Sequence, residues 1–163
     1  MENELKIKQI VKEKYGKIAS QNNTQSCCSG CCCTSSNNIM SENYDNLNGY
    51  NPDADLGLGC GLPTNFAKIK KGDTVIDLGS GAGNDCFIAR AETGETGKVI
   101  GIDFTPEMIE KARKNVKRHS FANVEFIQGD IEKIPLEANI ADVVVSNCVL
   151  NLVPNKKAVF NEI

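Results

Sequence analysis

Val75-Ile76-Asp77-Leu78-Gly79-Ser80-Gly81-Ala82-Gly83 runs from an apolar stretch straight into three glycines at alternate positions, after which an apolar helical pattern resumes. The spacing predicts a buried strand over Thr74–Leu78, a glycine-rich turn, and a helix from Asp85 to Ala91. Glycine there permits a tight turn and lets a ligand approach the backbone, and the helix N-terminus that follows favours an anionic group. A dinucleotide fingerprint would place its third glycine at position 84, where this chain has Asn84. Asp77 would also be awkward beside a pyrophosphate, so a nicotinamide dinucleotide is disfavoured.

Working outward, Lys98–Ile102, Val124–Gln128 and Ala141–Ser146 read as further strands. Thr105-Pro106 opens a helix to about Arg118, with Pro106 early and Glu107 in the first turn, and Asn155–Ile163 begins another. This alternation predicts an α/β fold, a Rossmann-like doubly wound, mostly parallel sheet. A valine-rich fourth strand left at an edge is a pairing liability, and the expectation is a sheet truncated after that strand in a protein that continues past Ile163. Upstream, Leu5, Ile7, Ile10, Val11, Tyr15 and Ile18 form the apolar stripe of an amphipathic helix over residues 3–19. Ser20 to Gly61 shifts to Asn, Ser, Cys, Asp and Gly without periodicity, a long loop. The expected organisation is an N-terminal helix and cysteine-rich arm over 1–61 and a ligand-binding domain over 62–163.

The 163 residues suffice for about one core, and 40% hydrophobic with 24% charged residues excludes a wholly disordered or fibrous chain. Lys and Arg total 18 against 21 Asp and Glu, a net charge of -3, which argues against nucleic acid as a partner. No apolar run approaches the roughly 18–20 residues of a membrane-spanning helix, and the N-terminus offers no signal-peptide core. A cytoplasmic location is expected. There the eight cysteines, five of them between Cys27 and Cys33, are expected as thiolate ligands or nucleophiles rather than disulfides.

Asp103, at the end of the second predicted strand, is placed to accept hydrogen bonds from both hydroxyls of a ribose. Gly129-Asp130-Ile131-Glu132, after the third, offers backbone groups and a carboxylate to an adenine edge. Loop, acid and adenine segment, each at the carboxyl end of a strand, resemble the Rossmann-like methyltransferases that use S-adenosylmethionine. If the first strand lies between the second and fourth, the ligand crevice is walled by the loops after Leu78 and after Val145. Cys148 then points to the place of a transferable methyl group, though it also reads as a small buried hydrophobe. Cys60, in Gly57-Leu58-Gly59-Cys60-Gly61-Leu62-Pro63, reads either as a ligand-facing sulfur or as an incidental surface thiol. The Cys27–Cys33 cluster has the thiol density of a soft-metal site, zinc included. His119, the single histidine, reads as a solvent-facing helix terminus.

Asp77 to Gly83 followed by Asn84-Asp85-Cys86, then Gly101-Ile102-Asp103-Phe104-Thr105-Pro106-Glu107-Met108, then Ser146-Asn147-Cys148-Val149-Leu150-Asn151-Leu152, together resemble arsenite methyltransferase. The resemblance implies methyl transfer from S-adenosylmethionine to trivalent arsenic, for arsenic detoxification. It implies that Cys60 and Cys148 hold the arsenic with an N-terminal cysteine, Cys27 or Cys28. Cofactor contacts are implied at Asp77, Gly79, Gly81, Gly83, Asp103, Phe104, Asp130, Ile131, Glu132 and Ser146. Implied partners are arsenite as a thiol conjugate and a thiol reductant, with no nucleic acid and no membrane. Leu58 stands where many relatives have tyrosine, and the family has a further ligand cysteine and a C-terminal region beyond Ile163. Two alternatives are a methyltransferase acting on another small molecule and a non-catalytic thiol module binding arsenic or zinc.

Overall fold

Strands β1 (Thr74–Leu78), β2 (Lys98–Asp103), β3 (Val124–Gln128) and β4 (Val143–Ser146) join in one all-parallel sheet of order β3-β2-β1-β4. The first strand therefore lies between the second and the fourth, as the crevice argument requires. This computed structural model describes residues 2–20, 44 and 47–163. The cysteine cluster from Cys27 to Cys33 lies outside the described residues.

Parallel strands buried on both faces carry apolar side chains at every position rather than at alternate ones. Val75, Val99, Val124, Phe126 and Val145 pack on one face with residues of α3 (Asn84–Thr93) and α4 (Pro106–His119). Ile76, Leu78, Ile100 and Ile102 turn to the other face, where Val159 of α5 (Lys156–Glu162) is fully buried. The Asn155 side chain caps α5 by accepting a hydrogen bond from the Ala158 N–H at 3.1 Å.

The predicted limits of β1 and β3 match the structure. The fourth strand begins two residues later than Ala141, because Asp142 turns to β1: its carboxylate accepts from the Thr74 N–H at 2.8 Å and its N–H donates to the Thr74 carbonyl at 2.9 Å. Two short elements escape the apolar periodicity, α2 (Thr64–Ala67) and a 3-10 turn at Leu150–Leu152. The described residues between 44 and 61 contain neither helix nor strand. No helix among the described residues is long and apolar enough to cross a membrane.

Helix α1 (Glu2–Ser20) forms where the spacing predicts it, but only half of its expected apolar stripe packs. Leu5, Ile7 and Ile10 are exposed, whereas Lys8, Val11, Lys12, Tyr15, Gly16 and Ile18 turn inward along a side that contacts α4. The long stem of Lys8 lies along the protein while its ammonium reaches carboxylates, which lets a charged residue occupy an inward position.

Two glycines let the glycine-rich turn settle on the sheet. A methyl group on Gly101 would lie 2.4 Å from Cε1 of the buried Phe126 ring and 2.7 Å from Ser80 Oγ. At Gly83, where φ is +99°, it would lie 2.5 Å from Phe126 Cζ. Gly101→Ala should therefore destabilise the protein by about 1–3 kcal/mol, the usual cost of overpacking a core, read as a lower urea midpoint. An unchanged midpoint would show that the ring gives way freely.

Candidate active site

The loops at the carboxyl ends of the strands line a cleft that is partly open to solvent. Its floor is the turn after β1. The N–H groups of Gly79 and Ser80 both donate to the Ile102 carbonyl, at 2.8 and 3.0 Å. Gly81 N–H donates to Asp103 Oδ2 at 3.0 Å. Three side-chain atoms at the turn and the helix start that follows are buried with no hydrogen-bond partner, the Ser80 hydroxyl and the acceptors Asn84 Oδ1 and Asp85 Oδ1. The two acceptors suit a ligand ammonium.

Asp103 closes β2 and lines the cleft. Its Oδ1 accepts from the Thr105 N–H at 2.8 Å, which together with the Gly81 bond occupies two of roughly four lone-pair sites on the carboxylate. Burial pushes its pKa up, and the two backbone donors pull it back. Tyr15 of α1 lines the same cleft, its hydroxyl raised by burial and by the charge of Asp103.

After β3, Asp130 and Ile131 line the cleft and Glu132 does not. Asp130 Oδ2 pairs with Lys8 Nζ at 2.6 Å and its Oδ1 accepts from the Glu132 N–H at 2.9 Å. Glu132 also meets Lys8, and its Oε1 accepts from the Asn155 N–H at 2.9 Å, tying α1 and α5 to this loop. Burial opposes the charge on Lys8, but the two carboxylates outweigh it and hold the ammonium above its ordinary pKa.

The fourth wall brings the two cysteines together. Cys60, on the glycine loop, and Cys148, after β4, have Cα atoms 6.0 Å apart and their sulfurs are bonded to each other. This corrects the expectation of free thiolates at both positions. The separation lies within the range that a disulfide spans, and the loops are pinned side by side by Asn147. Cys148 lines the cleft and has φ +55°, a left-handed conformation that costs a non-glycine residue roughly 1–2 kcal/mol. Cys86, the free cysteine among the described residues, is buried.

Other sequence candidates divide plainly. Gly79, Gly81, Asp103, Phe104, Asp130, Ile131 and Cys148 line the cleft. Asp77, Gly83, Glu132 and Ser146 lie behind its wall. Ser146 Oγ donates to the Leu78 carbonyl at 3.1 Å, joining the ends of β4 and β1. Asp77 sits fully buried beneath the turn, where the Cys86 thiol donates to its Oδ2 at 3.3 Å. Residues that the sequence reading passed over are Lys8, Tyr15, Tyr44, Asp85, Met108 and Asn147, all on the cleft. Asn147 adjoins Cys148 in the motif already singled out, a signal that was available. Nothing local marks Lys8 or Tyr44. Tyr44 and Tyr50 stack at 6.4 Å, so aromatic rings stand beside the Cys60 loop although position 58 is leucine. Among the described residues, no group of three or more His, Cys, Asp or Glu is arranged to hold a metal ion.

A parallel sheet with a glycine turn, an acid closing the second strand and a cleft over the strand ends defines a class, and the comparisons agree. The family described as "Methyltransferase domain" matches residues 69–163, and the chain belongs to that family. Among curated proteins it is similar to the arsenite methyltransferases of Halobacterium salinarum, 56% identical over 109 residues and 67% of this chain, and of Homo sapiens, 43% identical over 114 residues and 64% of it. Among solved structures it is similar to an arsenic(III) S-adenosylmethionine methyltransferase from Chlamydomonas reinhardtii, with TM-score 0.57 and 41% identity over 64% of this chain. The chain spans 28%, 30% and 37% of the lengths of these three relatives.

Burial, then repulsion from Asp85, raises the Asp77 carboxyl well above its ordinary value of 3.8. A carboxyl that holds its proton more tightly when folded costs nothing below its unfolded pKa and lowers stability as pH rises from there toward the folded value. Asp77→Asn should therefore flatten the decline in unfolding free energy from about pH 4 upward, leaving the share due to Asp85 and Asp103, which shift in the same direction. Urea melts across that range give the slopes, and equal slopes for variant and wild type would refute the assignment.

Proposed function

We propose that this chain binds S-adenosylmethionine in the cleft and presents trivalent arsenic to it on the sulfurs of Cys60 and Cys148, with Cys27 or Cys28 as a third thiolate. The observation that carries the reading is that Cys148, which lines the cleft with Asp103 and the glycine turn, meets Cys60 from just outside that lining. Similarity to arsenite methyltransferases supports the same substrate. In this reading residues 62–163 form the cofactor-binding body, and residues 1–61 supply the N-terminal helix and the cysteine-rich arm.

The cleft fits that cofactor on its own chemistry. Asn84 Oδ1 and Asp85 Oδ1, unpartnered, accept from an ammonium. Asp103 keeps lone pairs for two ribose hydroxyls. Ile131 and Phe104 offer apolar contact, and Asp130 a carboxylate, to an adenine ring. Gly81 suits the turn through its backbone, whose φ of +53° favours glycine. S-adenosylmethionine supplies a methyl group activated by a sulfonium, an electrophile suited to the soft lone pair of trivalent arsenic.

The residues of the chain bind and orient. A thiol reductant opens the Cys60–Cys148 bond, giving two thiols and the oxidised reductant. Arsenite, As(OH)₃, then exchanges two hydroxyls for two cysteine sulfurs and releases two waters, a preference that follows from the thiophilicity of arsenic. Holding arsenic and cofactor in one cleft contributes proximity, and no general base is needed for the lone pair to react. A reducing cytoplasm suits this chemistry, and its biological use is arsenic detoxification.

Native mass spectrometry with arsenite under reducing conditions tests the substrate. Wild type should retain arsenic, and Cys60→Ser and Cys148→Ser should lose it. Equal retention by all three proteins would move arsenic to the Cys27–Cys33 cluster and refute the site. Asp103→Ala should weaken S-adenosylmethionine binding about 10- to 100-fold, as expected when hydrogen bonds to a charged group worth about 1.5–3 kcal/mol are lost. Titration calorimetry gives that ratio, and unchanged affinity would exclude Asp103 from the cofactor site.

A further inference from the structure

The Cys60 loop has little packing to hold it. Cys60 is exposed, and a methyl group added at Gly57 or Gly61 would meet nothing within 4 Å. Besides its bond to Cys148, the loop is held by the Asn147 carboxamide and the Tyr44 hydroxyl. Asn147 Oδ1 accepts from the Cys60 N–H at 3.2 Å, and Asn147 Nδ2 donates to the Gly61 carbonyl at 2.8 Å. The same nitrogen lies 2.9 Å from both the Tyr44 hydroxyl and Asp85 Oδ2. Tyr44 in turn donates to the Gly61 carbonyl at 2.6 Å. Burial and the charge of Asp85 hold the Tyr44 hydroxyl well above its ordinary range, so it remains a donor. Gly59 makes room, since a methyl group there would lie 2.7 Å from Tyr44 Oη and 3.0 Å from Asn147 Nδ2.

Because Asn147 is bonded to Cys148 in the chain, whatever its side chain grips is held against that cysteine. We infer that Asn147, braced by Tyr44 and Asp85, is a positioning residue that sets the effective concentration of the Cys60 and Cys148 sulfurs for one another. Its use in arsenic capture rests on the proposed function, whereas the clamp itself is independent of any substrate. One side chain both donates and accepts here, so aspartate at 147 keeps the acceptor, loses the donors and sets a second carboxylate against Asp85.

The test is a thiol–disulfide equilibrium. Wild type, Asn147→Ala, Asn147→Asp and Tyr44→Phe are equilibrated with mixtures of reduced and oxidised dithiothreitol, quenched by alkylation and read by peptide mass spectrometry at Cys60 and Cys148. The dithiol gives two electrons and two protons to the disulfide, yielding two cysteine thiols and the cyclic oxidised reagent. Asn147→Ala should shift the equilibrium toward the thiols about 10-fold or more, because a freely moving glycine loop dilutes one sulfur with respect to the other. Tyr44→Phe, which removes one hydroxyl, should shift it less in the same direction and carries the test if Asn147→Ala does not fold.

A merely structural Asn147 would lower the melting midpoints of oxidised and reduced protein equally and leave the equilibrium within twofold of wild type, which overturns the inference. Arsenic retention by reduced wild type is measured alongside. Its failure together with a shifted equilibrium removes the arsenite reading and leaves the clamp intact. Retention together with an unshifted equilibrium does the reverse.

Discussion

The carbonyl of Ile102 receives the N–H groups of both Gly79 and Ser80, and the top of the molecule is organised around that oxygen. It folds the turn after β1 back over the end of β2, where the next residue, Asp103, takes the N–H of Gly81. Three consecutive donors of the turn are thereby spent on β2 and the acid that closes it. Beside the turn, Asn84 and Asp85 keep buried acceptor oxygens without partners.

Helix α1 joins the site by charge as well as by packing. Leu5, Ile7 and Ile10 face outward, and Lys8 is held between Asp130 and Glu132. Glu132 also grips the start of α5 through Asn155, so one carboxylate links the two ends of the described chain. Tyr15, one helical face along from Lys8, then stands near Asp103.

What could be read from the sequence is what local chemistry dictates. The strands are short apolar runs between turn residues, the glycine turn interrupts one of them, and Asp103 ends another, so each announces itself within a few residues. The third strand was legible from first residue to last and the fourth only at its end, because Asp142, counted within the run, turns its carboxylate to the start of β1. Asn147, Tyr44 and Lys8 were illegible as a set because their partners lie far along the chain: Asn147 meets Tyr44 across 103 positions, and Lys8 meets Asp130 across 122. The free thiols expected from composition depend on compartment, whereas bonding between Cys60 and Cys148 depends on two loops meeting, which no spacing rule reveals. Asp77 illustrates a different limit. Its place in the motif suggested ligand contact, and burial beside Cys86 puts it one layer below.

The ring of Phe126 fills the space that Gly83 and Gly101 leave empty, one glycine on the turn after β1 and the other on the neighbouring strand. Three positions in three different elements thus share one volume. In the history of such a chain they cannot drift independently: a side chain at either glycine requires a smaller residue at 126, and a smaller residue at 126 leaves a void until a glycine is replaced. The turn that lines the cleft is consequently inherited as a set with a core residue that lies outside it.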